Sequence, residues 1–176
     1  MAEDTRIIRV IYSFFLGVLL AIFVGVGVNT FYPGPTAPEY PSESISYTAK
    51  EPTAEQIAAE KQYNEQWEQH QKDMQPYNRN VSIITLVAAV TLLAISLVYE
   101  RRIKFIADGV MLGGLFTLLY SLGRSFASDD SKYIFTVVSV ALIVVLFLGY
   151  HRFVRPFAGA QVSAELKPQK QKSSKK

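Results

Sequence analysis

Four long apolar runs constrain the fold of this chain more than any other feature. They cover approximately residues 7–31, 81–99, 103–123 and 133–150. Each is close to the ~20 residues with which an α-helix crosses ~30 Å of hydrocarbon. Because lipid offers no water to pair backbone N–H and C=O groups, such runs are helical. We therefore predict an all-α integral membrane protein, a four-transmembrane-helix antiparallel bundle with a mainly helical extracytoplasmic loop.

The runs and the polar stretches between them define the predicted segments. The predicted transmembrane helices are 7–31, 80–99, 103–123 and 132–150. The other predicted segments are a cytoplasmic N-terminus (1–6), an extracytoplasmic loop (32–79) with a helix at about 53–75, a cytoplasmic turn (100–102), a second extracytoplasmic loop (124–131) and a basic, disordered cytoplasmic tail (151–176). The first run also resembles a secretory signal, but it exceeds the ~7–15 apolar residues of a cleaved signal peptide, so we expect it to be an uncleaved span.

The distribution of Lys and Arg predicts the orientation, because positive charge collects on the cytoplasmic side. Twelve of these residues fall in the two termini and the turn at 100–104, and six fall in the two other connections. The segment 32–79 holds eight acids against four bases. We predict a multi-pass protein of the cell membrane with both termini in the cytoplasm.

Composition excludes several kinds of site. The chain has no cysteine, which excludes a thiolate metal site. It has only two histidines, too few for a histidine-based metal site without carboxylate ligands. No nucleotide-binding or hydrolase motif is present, and no nucleophile has a paired base. We predict no enzyme activity, cofactor or metal. The basic tail suits acidic lipid headgroups, and nucleic acid is not expected because no aromatic residues alternate with its lysines.

The polar loop after the first span has two parts. Residues 32–41 at its start are rich in proline, which predicts an extended segment. This segment is interpreted either as a spacer or as a strip that docks in an aromatic groove. Thr53 and Gln56 match a capping box and predict the start of a helix. Pro76 predicts the end of that helix near Gln75, and Asn80 is then the expected N-cap of the second span.

The predicted loop helix carries a semi-apolar stripe at helical spacing. Its members are Ala59, Tyr63, Trp67, His70 and Met74, and the last four form the candidate partner surface. One interpretation packs this stripe on the outer ends of the spans, and the other makes it the surface that meets a partner. Lipid binding is weakly supported, because helices that lie on anionic membranes are basic and this one is acidic.

The first span carries small or polar residues at every fourth position: Ser13, Gly17, Ala21, Gly25 and Asn29. The third span adds Gly109 and Gly113. Residues spaced by four share a narrow helix face, and small side chains let another helix approach closely. We predict helix packing at these positions, either within the monomer or at a seam between copies.

Asp108 is the only acid well inside a span. Intramembrane carboxylates are costly and mark proton or ion paths in many proteins. Lys104 lies one helical turn away, however, so an interfacial ion pair is the simpler interpretation. No second acid or histidine shares the predicted membrane core, so a proton relay would lack a partner.

These features predict an integral-membrane structural or interaction protein, such as an accessory subunit. Its partners would be the lipid bilayer and either a second membrane protein or further copies of itself, bound through the small-residue faces or the loop helix. The alternative is a small oligomeric transporter or channel that uses Asp108 as its intramembrane polar element.

Overall fold

A computed structural model describes residues 2–40, 53–100 and 103–154, which hold helices and no strand. The helices are α1 (Ala2–Phe31), α2 (Ala54–Tyr99), α3 (Lys104–Phe126) and α4 (Ser131–Gly149), and a π-helical turn (Tyr150–Val154) follows α4. All four α-helices are long and apolar enough to cross a membrane. The prediction of an all-helical, multi-pass membrane protein is confirmed at this level. The chain divides into two compact units, Met1–Ile134 and Phe135–Lys176.

Helix α2 is the main departure from the predicted boundaries. Thr53 and Gln56 do form a capping box, with Thr53 N donating to Gln56 Oε1 over 2.8 Å, as predicted. The helix does not end near Gln75, however, because Pro76 lies inside it, and Asn80 is therefore not an N-cap. An interior proline costs about 3 kcal/mol or more. Tertiary contacts of the next turn, which buries Tyr77 and Asn78, offset that cost.

Smaller differences concern the other boundaries. Helix α1 begins at Ala2 instead of residue 7, and α3 ends at Phe126, three residues beyond its predicted end. The π-helical turn occupies 150–154, so the first residues of the predicted disordered tail are helical. The rest of that tail, the middle of the first loop (41–52) and the turn residues 101–102 lie outside the described residues.

Helix α3 is central in the first unit and packs against both α1 and α2. Later residues of α1 contact later residues of α3: Gly17 contacts Leu112 and Leu20 contacts Gly113. The two helices therefore run parallel. Contacts with α2 run in opposite directions, from Ser82 at Ser121 to Ser96 at Ala107, so these helices are antiparallel. Few contacts join α1 directly to α2.

Buried hydroxyl groups line the contact between α2 and α3. Ser82 Oγ donates to Ser121 O (2.9 Å) and Ser121 Oγ donates back to Ser82 O (2.8 Å). Ser96 Oγ donates to Ala107 O over 2.7 Å. Buried polar groups need such partners, and between membrane helices each bond contributes on the order of 0.6 kcal/mol. These bonds fix the register of the two helices.

Helix α4 begins at an N-cap supplied by Asp130. The Oδ1 atom of Asp130 accepts from the backbone N–H groups of Lys132 (3.0 Å) and Tyr133 (3.2 Å), which pairs two donors that the first turn leaves open. Further along, the largest side chains of α4, such as Phe135 and Ile143, are exposed. Such a surface suits contact with lipid.

Candidate functional site

The small-residue faces of α1 and α3 meet in one tight contact. We call it the α1–α3 seam; it comprises Ser13, Leu16, Gly17 and Leu20 of α1 with Phe105, Gly109, Leu112 and Gly113 of α3. Ser13 Oγ donates to Phe105 O over 2.8 Å. A Cβ added to Gly17 would lie 2.9 Å from Leu112 Cβ and 3.1 Å from the backbone nitrogen of Gly113. Only glycine fits there without a shift of the neighbouring helix.

Gly109 and Gly113 of α3 receive leucines of α1. A Cβ on Gly109 would lie 2.7 Å from Leu16 Cδ2, and one on Gly113 would lie 2.9 Å from Leu20 Cβ. Ridges of α1 thus enter the gaps that missing side chains leave on α3. The structure places Ser13, Gly17, Gly109 and Gly113 together at this seam.

The second half of the predicted packing face of α1 has a different environment. A Cβ added to Gly25 meets nothing within 4 Å. Ala21 is half-buried and Asn29 is exposed. Among the described residues, no neighbour therefore packs against Gly25 itself. A seam between copies at this position stays a prediction.

Asp108 lies in the second turn of α3, four residues after Lys104, and is half-buried. The neighbouring carbonyl of Ala107 accepts the hydrogen bond from Ser96. The structure therefore places the carboxylate near one end of a transmembrane helix. Its predicted pairing with Lys104 and its role as a polar element for transport both stay predictions.

A polar cluster surrounds α2 just after Pro76, and we call it the collar: Tyr32, Tyr77, Asn78, Asn80 and Arg124. Arg124 Nη1 donates to Asn78 Oδ1 over 2.7 Å, and Asn78 Nδ2 donates to Ala127 O over 3.1 Å. The guanidinium also lies over the Tyr77 ring, 5.3 Å from its centroid. One cation therefore ties the start of the α2 span to the end of α3 through a charge-assisted hydrogen bond and a cation–π contact.

The same collar holds the exit of α1. The rings of Tyr32 and Tyr77 stack with centroids 5.4 Å apart, and Tyr77 Oη donates to Tyr32 O over 3.2 Å. Asn80 Nδ2 donates to Tyr32 Oη over 2.9 Å. Gly34 passes close by, since a Cβ there would lie 3.0 Å from the Tyr77 ring. The chain that leaves α1 is thereby held against α2.

We call residues 54–75 of α2 the arm and the extended segment 33–40 the strap. Three rings of the predicted stripe contact one another in sequence on the arm. Tyr63 stacks on Trp67 with centroids 6.1 Å apart, and the His70 ring lies tilted against Trp67 with centroids 5.5 Å apart. Tyr40 of the strap meets Tyr63 edge to face at 4.9 Å. Met74 is half-buried. Among the described residues, the stripe therefore makes its ring contact outside the arm with Tyr40 of the strap.

A cleft of about 430 Å³ lies between the strap and the arm. Its lining comprises Pro35, Thr36, Ala37 and Pro38 of the strap and Gln66, Gln69, His70 and Asp73 of the arm. Asp73 Oδ1 accepts from Gln69 Nε2 over 3.0 Å. His70 Nδ1 is shielded from solvent and has no hydrogen-bond partner in the part of the chain that the structure describes. Buried nitrogens without a partner are uncommon and call for an explanation.

Sequence reasoning missed the collar and the docking of the strap. The available signal was the position of Tyr32, Tyr77 and Arg124 at the ends of apolar runs, where aromatic residues concentrate in membrane proteins. Comparisons with protein-family models, with curated proteins and with solved structures found no match.

Proposed function

We propose that the protein is a membrane-anchored docking protein, an accessory or interaction subunit that presents the arm to a partner. The observation that carries this proposal is the continuity of α2. A helix of 46 residues is about 69 Å long at 1.5 Å per residue. The hydrocarbon core accounts for ~30 Å of that length. A large part of α2 therefore extends beyond the membrane as a continuation of a transmembrane helix.

The collar supports this function because it makes the arm a fixed extension of the anchor. Tyr77 and Asn78 immediately follow Pro76 and are 7% and 5% exposed. Both contact Arg124, which is half-buried at the end of α3. An arm held in this way limits the orientational freedom that is lost on binding, and pre-organisation of that kind favours affinity.

The arm is a better candidate partner surface than the small-residue faces. Gly17, Gly109 and Gly113 already accept side chains from within the same chain. The arm, by contrast, keeps Trp67 39% exposed and Ile57 55% exposed. Trp and Tyr are enriched at the centres of protein interfaces. In this proposal the transmembrane helices anchor the protein and the arm carries the interaction.

The α2–α3 contact also favours an anchor over a conduction path. Ser82 and Ser121 donate to each other's carbonyl groups, and Thr117 Oγ1 donates to Gly113 O over 2.8 Å. Ser82 and Ser121 are 0% exposed and Thr117 is 1% exposed, so these hydroxyl groups stabilise a helix contact that solvent does not reach.

Site-specific photo-crosslinking in native membranes tests the proposed function. A photoreactive phenylalanine analogue replaces Trp67 on the stripe or, as the matched control, Glu65 on the opposite face of the same helix. We expect a discrete protein adduct from position 67, identified by mass spectrometry, and none from position 65. Equal adducts from both positions, or from neither, would contradict a docking role for the stripe.

We further propose that both termini face the cytoplasm and that the arm is extracytoplasmic, as the Lys and Arg distribution indicates. The chain has no cysteine, so single cysteines can be introduced cleanly. Gln62→Cys on the arm should react with a membrane-impermeant maleimide in intact cells, and Ser173→Cys should react only after permeabilisation. The reverse pattern would overturn this orientation.

A further inference from the structure

Asp73 is the one carboxylate among the described residues that line the cleft between strap and arm. Four strap residues line it, but Pro35 and Pro38 have no backbone N–H group. The backbone of residues 35–38 therefore carries four carbonyl groups and only two N–H donors. The Asp73 carboxylate on the opposite wall adds two further acceptor oxygens and a negative charge. A cationic donor therefore meets a negative charge in this lining, beside the strap backbone and the side-chain amides of Gln66 and Gln69.

The arm around the cleft also carries a net negative charge, like the Asp73 carboxylate. Residues 54–75 hold five acids and two lysines. Their negative potential attracts cations and speeds their encounter with this surface. The aromatic neighbours are also suitable. The Trp67 ring lies 5.5 Å from the ring of His70, which lines the cleft, and Trp67 stays 39% exposed. Tryptophan is the best aromatic partner for a cation.

His70 supplies a second, independent observation. Among the residues that the structure describes, its Nδ1 atom is shielded from solvent and has no partner, which is unfavourable for a polar atom. When the ring proton is on Nε2, Nδ1 is an acceptor. His70 also lines the cleft, so a ligand that donates there offers this nitrogen a partner.

We propose that the cleft between strap and arm binds a basic side chain, Arg or Lys, of the partner protein. The guanidinium or ammonium group donates to the Asp73 carboxylate and to strap carbonyl groups. This inference rests on the proposed docking function and names the chemistry of the partner. Arginine fits best, because five N–H donors in a planar fork can serve several acceptors at once.

Trp67 provides the readout, since it is the single tryptophan of the chain and lies beside the cleft. The full-length protein in nanodiscs of zwitterionic lipid is titrated with a capped peptide of sequence Gly-Ser-Arg-Ser-Gly. We expect a saturable change in tryptophan fluorescence that weakens with added salt. The same peptide with neutral citrulline in place of arginine should produce no saturable change, and equal binding of both peptides would overturn the proposal.

Matched variants locate the site. Asp73→Asn should weaken peptide binding about fivefold, the upper range for a solvent-exposed ion pair. Glu68→Gln removes an exposed acid of the same arm that does not line the cleft, and it should leave binding within twofold of the wild type. Equal weakening by both variants would show diffuse attraction to an acidic helix and would contradict a built site.

Two further outcomes are decisive. Spermidine is the control for a free small cation: tighter binding of the peptide supports a protein partner, and tighter binding of spermidine overturns it. Crosslinking from position 67 without any arginine-dependent fluorescence change would reject this inference alone. Loss of crosslinking with an intact, Asp73-dependent fluorescence change would instead reject the docking function of the stripe.

Discussion

The α1–α3 seam and the arm represent two opposite uses of an exposed helix face. In the seam, Gly17 and Gly113 allow backbones to approach so closely that an added Cβ would lie within about 3 Å of a neighbour. On the arm, the strap covers the stripe only in part, and His70 Nδ1 has no hydrogen-bond partner among the described residues. Helix packing at the seam thus occurs within one chain, whereas the arm keeps a polar atom without a hydrogen bond among the described residues. This difference is why we assign stability to the first region and recognition to the second.

The largest expected effect breaks the seam. Gly17→Leu places a side chain against Leu112 and the backbone of Gly113, and overpacking of this kind costs about 1–3 kcal/mol. Thermal unfolding of the purified protein in detergent should occur at a clearly lower temperature than for the wild type.

Gly25→Leu is the matched control on the same helix. A Cβ at this position meets nothing, and replacing an interior helical glycine gains about 0.5–1 kcal/mol. The variant should therefore be as stable as the wild type or more so. If Gly25→Leu destabilises the protein as much as Gly17→Leu, a second copy or another partner covers that face, and the proposed division of α1 is wrong.

These two glycines also show where sequence reasoning stops. They share one spacing pattern, and nothing in the pattern distinguishes them. Their environments differ because contact depends on how α1 passes α3, a relationship between segments about ninety residues apart. The four spans and the Thr53 capping box were predictable because each depends on local composition and local hydrogen bonds.

Pro76 is a second position at which contacts between distant residues override a local sequence signal. Local chemistry predicts that a helix stops before a proline. The structure continues it because the following residues are held by Arg124 and Tyr32, which are distant in sequence. The strap is a similar case: its prolines predicted an extended segment, but its position against Tyr63 follows from how the collar directs the chain after α1.

A second prediction separates the collar from ordinary surface charge. Arg124→Leu leaves the buried Asn78 Oδ1 without its donor, which costs about 1–3 kcal/mol. Arg79→Leu is the control, because Arg79 is exposed and lies over the Tyr133 ring at 5.4 Å, a contact of about 0.5–1 kcal/mol. Thermal unfolding should show the larger loss for Arg124→Leu. Equal losses would mean that the collar is no more than another surface contact.

The smallest effect sharpens the distinction between arm and anchor. Thr53→Ala removes the N-cap side chain of α2 and should weaken the first turns of the arm by about 1 kcal/mol. Hydrogen exchange should become faster for arm amides only, while the unfolding temperature stays unchanged. Thr91→Ala is the control, since Thr91 is mid-helix and its hydroxyl bonds to Val87 O. Faster exchange throughout α2 in Thr53→Ala would contradict a locally stabilised arm.

The continuity of α2 through Pro76 is the central claim, and one distance tests it most directly. Spin labels at Ala58→Cys and Ile83→Cys are separated by 25 residues, nearly seven full turns, so both project from the same helix face. Pulsed electron paramagnetic resonance on the protein in nanodiscs should give one narrow distribution of label–label distances at about 38 Å, the axial rise of 25 residues in a continuous helix. A broad distribution, or a main peak shorter by about 10 Å or more, would show that the helix breaks at Pro76 and that the arm is not fixed to the anchor.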